Sequence, residues 1–178
     1  TIAGCDRATR LVEQLLTLSR LEAQAAPPAR PVDAAVLSRR VVAALAPRSL
    51  AKGQRLELDA ADDSAVAADE TLLEMLLRNL VDNAVRYSPP QARVLVSVRR
   101  QGDRVLLRVE DSGPGLAPEM LERLGQRFWR PPGQAESGSG LGWSIVRRIA
   151  AVLGLEVRVQ RSAELGGLAV EVSAPAAR

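Results

Sequence analysis

The sequence contains no His, one Cys and one Lys. Without His, Ser-His-Asp and Cys-His catalysis are excluded within this chain. The usual zinc sites, which need several Cys and His ligands, are excluded as well. The single lysine, Lys52, does not belong to a Gly-x-x-x-x-Gly-Lys-Ser/Thr segment, so a P-loop nucleotide site is excluded too.

Aromatic residues and long apolar runs are also scarce. Aromatics make up 2% of the 178 residues and the basic residues are nearly all Arg spread along the chain, so nucleic-acid binding is disfavoured despite the net charge of +3. No apolar run approaches the roughly 18 residues of a membrane span, and the N-terminus has no signal-peptide pattern. Since the chain does not begin with Met, we expect a segment of a longer protein.

Composition shifts along the chain predict two folded parts. Apolar residues at helical spacing predict one amphipathic helix within residues 1–26. A stretch rich in Pro, residues 27–33, is typical of a linker. We therefore expect a domain at residues 34–178.

Periodicity and capping residues predict the first elements of that domain. Asp33 is a suitable N-cap for a helix from Ala34 to Ala51, in which Pro47 predicts a kink or an early end. A short strand is expected at Leu56–Leu58. Leu residues at helical spacing then predict a strong helix from Ala68 to Tyr87.

Two hairpins and two helices are expected in the remainder, with a loop at residues 125–140 that is rich in Gly, Pro and Ser. The hairpins are predicted at 94–109 and at 157–172, the second with Gly166-Gly167 near its turn, and the helices at 118–124 and 141–153. The sum is an α+β fold in which helices pack on one face of a largely antiparallel sheet.

The first candidate site motif lies on the helix at 68–87. Asn79 and Asn83 are four residues apart, so their amides face the same way, and amide oxygens are hard ligands suited to Mg²⁺. Arg86 can hydrogen-bond phosphate, and Tyr87 can lie against a sugar or base. The alternative is a merely solvated helix face.

The second motif, Asp111-Ser-Gly-Pro-Gly115, follows a predicted strand. A carboxylate at Asp111 can accept a hydrogen bond from the exocyclic amine of adenine. Gly113 and Gly115 permit a sharp turn or a close approach of the backbone. An ordinary strand-to-helix turn uses the same residue types and is the alternative.

The third motif, Gly138-Ser139-Gly140-Leu141-Gly142, leads into a helix. Small residues there let backbone amides reach phosphates, although a flexible linker has the same composition. Arg127 and Arg130 precede the motif and can neutralise charge on a γ-phosphate. The alternative is that Phe128 and Trp129 are core anchors and the two arginines are solvated.

Together these motifs resemble the boxes of bacterial sensor histidine kinases. Residues 77–89 are similar to the N box, Asp111–Gly115 to the G1 box, Arg127–Arg130 to the F box and Gly138–Gly142 to the G2 box. Residues 6–23 are similar to the second helix of that family's dimerisation hairpin. The resemblance implies the fold shared with gyrase, Hsp90 and MutL ATPases, a sandwich of a mixed sheet and three helices.

The resemblance also implies roles for single residues. Asn83 is expected to ligate Mg²⁺, Asn79 and Arg86 to lie near the phosphates of ATP, and Asp111 to hold the adenine amine. Residues 131–138 are expected to form the ATP lid, and Asn79 and Arg130 to act in catalysis. The full set of implied ATP-binding residues is Asn79, Asn83, Arg86, Tyr87, Asp111, Gly113, Gly115, Leu116, Arg127, Arg130, Gly138, Ser139, Gly140, Leu141 and Gly142.

The chain departs from the family pattern in two ways. The hairpin helix that carries the phosphoacceptor His is absent, so this chain is expected to bind ATP without becoming phosphorylated itself. Trp143 stands where Leu is usual, and it either crowds the lid or packs under it. In the intact protein the resemblance implies a homodimer, a hairpin His as acceptor, a response regulator as partner and a membrane anchor.

Two other functions stay open at this point. One is a related clamp ATPase, against which Asn79 counts, because a hydrolytic relative is expected to carry a Glu base there. The other is a regulatory module that holds nucleotide without transferring phosphate.

Overall fold

The computed structural model describes residues 27–126, Trp129 and residues 140–177, together with the separate helical positions Val12, Leu16 and Ser19. The predicted N-terminal helix and most of the predicted loop at 125–140 therefore lie outside the described residues. In chain order the elements are β1 (Arg30–Asp33), α1 (Ala34–Ala51), β2 (Arg55–Ala60), β3 (Ala65–Ala68), α2 (Glu70–Tyr87), β4 (Arg93–Gln101), β5 (Arg104–Asp111), α3 (Pro118–Leu121), α4 (Gly142–Leu153), β6 (Glu156–Arg161) and β7 (Leu168–Pro175).

A five-stranded mixed sheet forms one layer of the fold. Its strand order is β2-β4-β5-β7-β6, in which β2 pairs parallel with β4 and the other neighbours pair antiparallel. The two predicted hairpins are confirmed as β4–β5 and β6–β7. Because side chains alternate across a strand, one face of the sheet presents the buried residues Val94, Val96 and Val98 together with Val105, Leu107 and Val109.

Helices α1, α2 and α4 cover that face and complete a two-layer α+β fold, as predicted. Their buried residues join the sheet in one core, in which Leu37, Leu73, Leu76, Leu77 and Ile149 are no more than 1% exposed. Deep burial of such Leu and Ile side chains contributes about 1.5–3 kcal/mol each. No helix in the described part of the chain combines the length and apolarity of a bilayer span.

Caps define the two long helices. Oδ1 of Asp33 accepts hydrogen bonds from the amides of Ala35 and Val36 at 2.9 and 3.0 Å, as expected of the predicted N-cap. Helix α1 continues through Pro47 to Ala51, so the predicted early end is wrong. Burial of Leu45 and Ser49 on either side of Pro47 outweighs the lost backbone hydrogen bond.

Helix α2 begins two residues later than predicted, because Asp69 is its N-cap and accepts from the amide of Leu72 at 2.9 Å. Its last turn is held by Lys52, whose Nζ donates to the carbonyl oxygens of Val85, Arg86 and Ser88 at 3.1, 2.8 and 2.9 Å. A cation at a helix C-terminus also interacts favourably with the helix dipole. The end of α2 that carries Arg86 and Tyr87 is therefore fixed to the loop after α1.

A small second sheet lies inside the stretch predicted as a linker. Arg30–Asp33 forms β1, which pairs antiparallel with β3, with Val32 opposite Val66. The regular structure thus starts before residue 34, because β3 supplies backbone partners that the sequence pattern did not reveal. The division of the chain at residues 26 and 33 into two parts stays a prediction.

Candidate functional site

A cleft lies between α2, the end of β5, the start of α4 and the start of β7. Its empty space, counted out to the open mouth and including solvent there, is about 1000 Å³. It is lined by Asn79, Leu80, Asp82, Asn83, Ala84, Arg86, Tyr87, Val109, Asp111, Pro114, Gly115, Leu116, Leu124, Gly125, Trp129, Gly140, Gly142, Trp143, Leu168 and Val170.

Most of the predicted site residues meet in this cleft. The lining includes nine of them: Asn79, Asn83, Arg86, Tyr87, Asp111, Gly115, Leu116, Gly140 and Gly142. Gly113 borders a neighbouring hollow instead, and Leu141 is fully buried beneath the start of α4. Arg127, Arg130, Gly138 and Ser139 lie outside the described residues.

The amides of Asn79 and Asn83 face the N-terminus of α4. Nδ2 of Asn79 donates to the carbonyl oxygen of Met75 at 2.8 Å, which fixes the orientation of this amide along α2. A Cβ atom on Gly142 would lie 3.3 Å from Oδ1 of Asn83 and 3.4 Å from Oδ1 of Asn79. Glycine at 142 therefore lets the first turn of α4 approach the two amides closely.

The side-chain oxygen atoms of the cleft suit Mg²⁺ that is bound together with substrate phosphates. Nδ2 of Asn83 is a buried donor without a hydrogen-bond partner, which suits an acceptor such as a phosphate oxygen. Oδ1 of the same amide is the atom that could ligate a cation. No cluster of three His, Cys, Asp or Glu side chains occurs in the described ranges, so these residues build no all-protein metal cage. Mg²⁺ commonly keeps waters and binds one or two protein oxygens plus substrate phosphates, and an Asn carbonyl oxygen suits that arrangement.

Asp111 ends β5 at the other side of the cleft. Its Oδ1 accepts from the amide of Gly113 at 2.8 Å and from the amide of Leu168 at 3.3 Å. Both bonds are made to the same oxygen, which leaves Oδ2 for a donor on a ligand. Burial raises the pKa of Asp111, the two amides partly oppose this shift, and the negative charge of Glu110 adds to it.

Gly167 belongs to the glycine pair predicted near the turn of the second hairpin but not to the predicted site residues, and it is packed directly against Asp111. Its amide donates to the backbone oxygen of Asp111 at 3.0 Å. A Cβ atom here would lie 2.2 Å from Oδ1 of Asp111, 2.4 Å from its backbone oxygen and 2.7 Å from the amide nitrogen of Gly113. Only glycine fits at this position, because the β6–β7 turn packs directly against the carboxylate and backbone of Asp111.

Arg86 and Tyr87 line the cleft at the C-terminal end of α2. Nη2 of Arg86 donates to Oδ2 of Asp82 at 2.8 Å, and Oδ1 of Asp82 is bound by Arg48 from α1. Asp82 thus connects α1 to the face of α2 that carries the site residues. The side chain of Arg86 is 16% exposed, which is unusually low for this residue type.

Apart from Leu116, the aliphatic residues of the lining were not predicted as site residues. Leu124, Leu168 and Val170 have no pattern in the sequence that distinguishes them from core residues. Trp143, noted as a departure from the family pattern, lines the cleft and also packs against the core. Since the predicted lid lies outside the described residues, the choice between crowding the lid and packing under it stays open.

Known proteins share the sequence pattern and the fold of this chain. Residues 68–178 match the family model described as histidine kinase-, DNA gyrase B- and HSP90-like ATPase. The sensor protein QseC of Salmonella typhimurium is 45% identical over 174 residues, which are 96% of this chain and 37% of that protein. The chain thus spans little more than a third of the length of the curated relatives it matches.

Two solved structures share the fold. The full-length structure of ShkA in complex with AMPPNP has a TM-score of 0.82 and 33% sequence identity, and the match covers 96% of this chain and 36% of that one. The mycobacterial sensor histidine kinase MprB has a TM-score of 0.75 and 28% identity, with 82% of this chain and 97% of that chain covered.

Proposed function

The chain belongs to the family of histidine kinase-, DNA gyrase B- and HSP90-like ATPases and contains the ATP-binding catalytic domain of a sensor histidine kinase, and we propose that it transfers the γ-phosphate of Mg-ATP to a His on a separate dimerisation hairpin. The acceptor must lie outside this chain, because the sequence contains no His. The hairpin belongs to the same or a partner subunit, and the phosphate then passes to a response regulator. The intact protein is a homodimer anchored in a membrane, with this domain in the cytoplasm.

The observation that carries the proposal is that one cleft has a carboxylate on one side and two side-chain amides on the other. Asp111 stands at one side with Oδ2 unused, and Asn79 and Asn83 stand at the other, against the first turn of α4. We assign Asp111 to the exocyclic amine of adenine, because only a donor suits an ionised carboxylate. Tyr87, which lines the cleft at the end of α2, is assigned to the base or sugar.

The phosphates are assigned to the side of the cleft formed by α2 and α4. Asn83 would hold Mg²⁺, which supplies charge neutralisation at the phosphates when bound. Asn79 and Arg86 would hold phosphate oxygens, as would the backbone around Gly140, Leu141 and Gly142 at the positive end of α4. Gly113, Gly115 and Leu116 would shape the adenine side.

The remaining predicted residues belong to the same proposal. Arg127 and Arg130 would neutralise charge on the γ-phosphate, and Gly138 and Ser139 would close the phosphate side. Asn79 favours phosphotransfer over hydrolysis, since an amide cannot activate water as a Glu base can.

Phosphotransfer to a hairpin tests the proposal. The chain is mixed with Mg-[γ-³²P]ATP and a hairpin fragment that carries the family's His, and acid-labile label on the hairpin is measured. We expect label on the hairpin, none on the chain itself, and none on a hairpin in which the His is replaced by Gln. Tight Mg-ATP binding without any label indicates a nucleotide-binding regulatory module and contradicts the kinase assignment.

A further inference from the structure

Glu110 and Ser162 form a buried polar pair on the far side of β5 from the cleft. Each is 3% exposed, and neither lines the cleft. The hydroxyl of Ser162 donates to Oε1 of Glu110 at 2.6 Å, and Nη2 of Arg108 donates to the same oxygen at 3.0 Å. A buried carboxylate with two charge-assisted hydrogen bonds is a strong local anchor.

Ser162 organises the turn between β6 and β7. Its Oγ accepts from the amide of Leu165 at 2.8 Å. Its backbone amide donates to the carbonyl oxygen of Gly167 at 2.8 Å, and its carbonyl oxygen accepts from the amide of Gly166 at 3.0 Å. The start and the end of the turn are therefore both bonded to this one residue.

The β6–β7 turn also holds Asp111 in place. The amide of Gly167 donates to the backbone oxygen of Asp111 at 3.0 Å, and the amide of Leu168 donates to Oδ1 at 3.3 Å. Glu110 precedes Asp111 on β5, so the bonds run from β5 through Ser162 and the turn back to β5. Gly167 has no room for a Cβ atom, so a shift of the turn moves the carboxylate.

We propose that Glu110 and Ser162 are positioning residues that hold Asp111 in the orientation that selects adenine. This inference rests on the assignment of Asp111 to the adenine amine under the proposed function. Adenine presents an amine donor at the position where guanine presents an oxygen acceptor. A carboxylate discriminates between them only if it stays within hydrogen-bond distance of that position.

The test replaces Ser162 by Ala in the full chain and measures the affinities for Mg-ADP and Mg-GDP by titration calorimetry or by displacement of a fluorescent nucleotide. We expect Ser162→Ala to weaken ADP binding about threefold to tenfold, with little change for GDP. This is less than the full loss of a hydrogen bond to a charged group, because Asp111 is shifted rather than removed. Ser173→Ala is the matched control, because Oγ of Ser173 accepts from Nε of Arg104 at 2.5 Å on the same sheet but away from the turn. It should leave both affinities unchanged.

A double-mutant cycle separates positioning from general support of the fold. In an Asp111→Asn background, Ser162→Ala should change ADP affinity less than about twofold, because coupled residues are not additive. An equal loss in both backgrounds, or equal losses for ADP and GDP, overturns the proposal. If Ser162→Ala does not fold, Ser162→Cys, similar in size and a weaker donor, takes its place in the cycle.

The same cycle keeps this inference separate from the proposed function. If Asp111→Asn weakens ADP binding while Ser162→Ala leaves ADP affinity unchanged, the positioning role is wrong and the adenine assignment stands. If Asp111→Asn itself leaves ADP affinity unchanged, the adenine assignment is wrong and the positioning role falls with it.

Discussion

Replacing Gly167 by Ala should displace Asp111 and so weaken nucleotide binding on the side of the cleft that we assign to adenine. The added Cβ atom would lie 2.2 Å from Oδ1 of Asp111 and 2.4 Å from its backbone oxygen. These distances are more than about 1 Å short of ordinary contact between non-bonded atoms. Backbone atoms on both sides cannot yield as a flexible side chain does, so the turn and the carboxylate must separate.

The size of the effect follows from the bonds that break. A separation of about 1 Å exceeds the width of the hydrogen-bond distance range, so the bonds from Gly167 and Leu168 to Asp111 are both lost. One is a neutral bond and the other is made to a charged group, and together they contribute about 2–4 kcal/mol. We expect the free energy of unfolding to fall by this order, and Mg-ADP affinity to fall more than about tenfold because Asp111 is displaced.

Gly166→Ala is the matched control for this experiment. Gly166 has a φ of +85° but nothing within 4 Å of a Cβ atom. The change should cost about 1–2 kcal/mol of backbone strain and leave nucleotide affinity almost unaltered. Urea denaturation and titration calorimetry measure both quantities. Tight ADP binding by Gly167→Ala, equal to that of the unaltered chain, would refute the packing argument.

Four further predictions concern Asp111, Lys52 and the two tryptophans of the cleft. Asp111→Asn should weaken Mg-ADP binding by about 1–3 kcal/mol; unchanged affinity contradicts the adenine assignment. Because burial raises the pKa of Asp111 above its ordinary value of 3.8, the stability that this side chain contributes is present below about that value and is lost as pH rises through the folded-state pKa. Urea denaturation between pH 3 and 7 should therefore show that the free energy of unfolding of Asp111→Asn rises relative to that of the unaltered chain as pH rises. A difference between the two free energies that does not change with pH contradicts this prediction. Lys52→Met should lower the free energy of unfolding by about 1–3 kcal/mol, since three carbonyl oxygens at the end of α2 lose a charged donor, and Lys52→Arg should lower it less. Mg-ADP should change tryptophan emission because Trp129 and Trp143 line the cleft, and an unaltered spectrum at saturating nucleotide counts against contact with this lining.

The elements with strong local signals could be predicted from the sequence. Helix α2 has Leu residues at helical spacing, and the β4–β5 hairpin has alternating Val and Leu on both strands around a short turn. Strand β3, by contrast, is Ala65–Ala68, whose Ala residues have low strand propensity, and its partner β1 contains Pro31. That pairing depends on contacts distant in sequence, so the local pattern indicated a linker instead.

The same distinction applies to the site. Asn79, Asn83 and Asp111 belong to short motifs whose chemistry is visible in the sequence. The roles of Gly167 and Lys52 depend on backbone atoms that are distant in the chain, and no spacing rule indicates them. A glycine that is required for close approach is the same letter as a glycine in a loose turn.

The geometry around Asp111 explains why the site tolerates a group that costs stability. Burial penalises the ionised carboxylate, and the amides of Gly113 and Leu168 offset only part of this, since the pKa of Asp111 remains raised. Both amides bind Oδ1, so Oδ2 keeps its capacity for a ligand donor. A third protein donor on that oxygen would stabilise the empty domain and would compete with the ligand. If Asp111 binds the nucleotide amine as we propose, that amine supplies the missing donor. Because a ligand that binds only the folded state stabilises it, we then expect occupancy to restore the stability that the unbound carboxylate lacks.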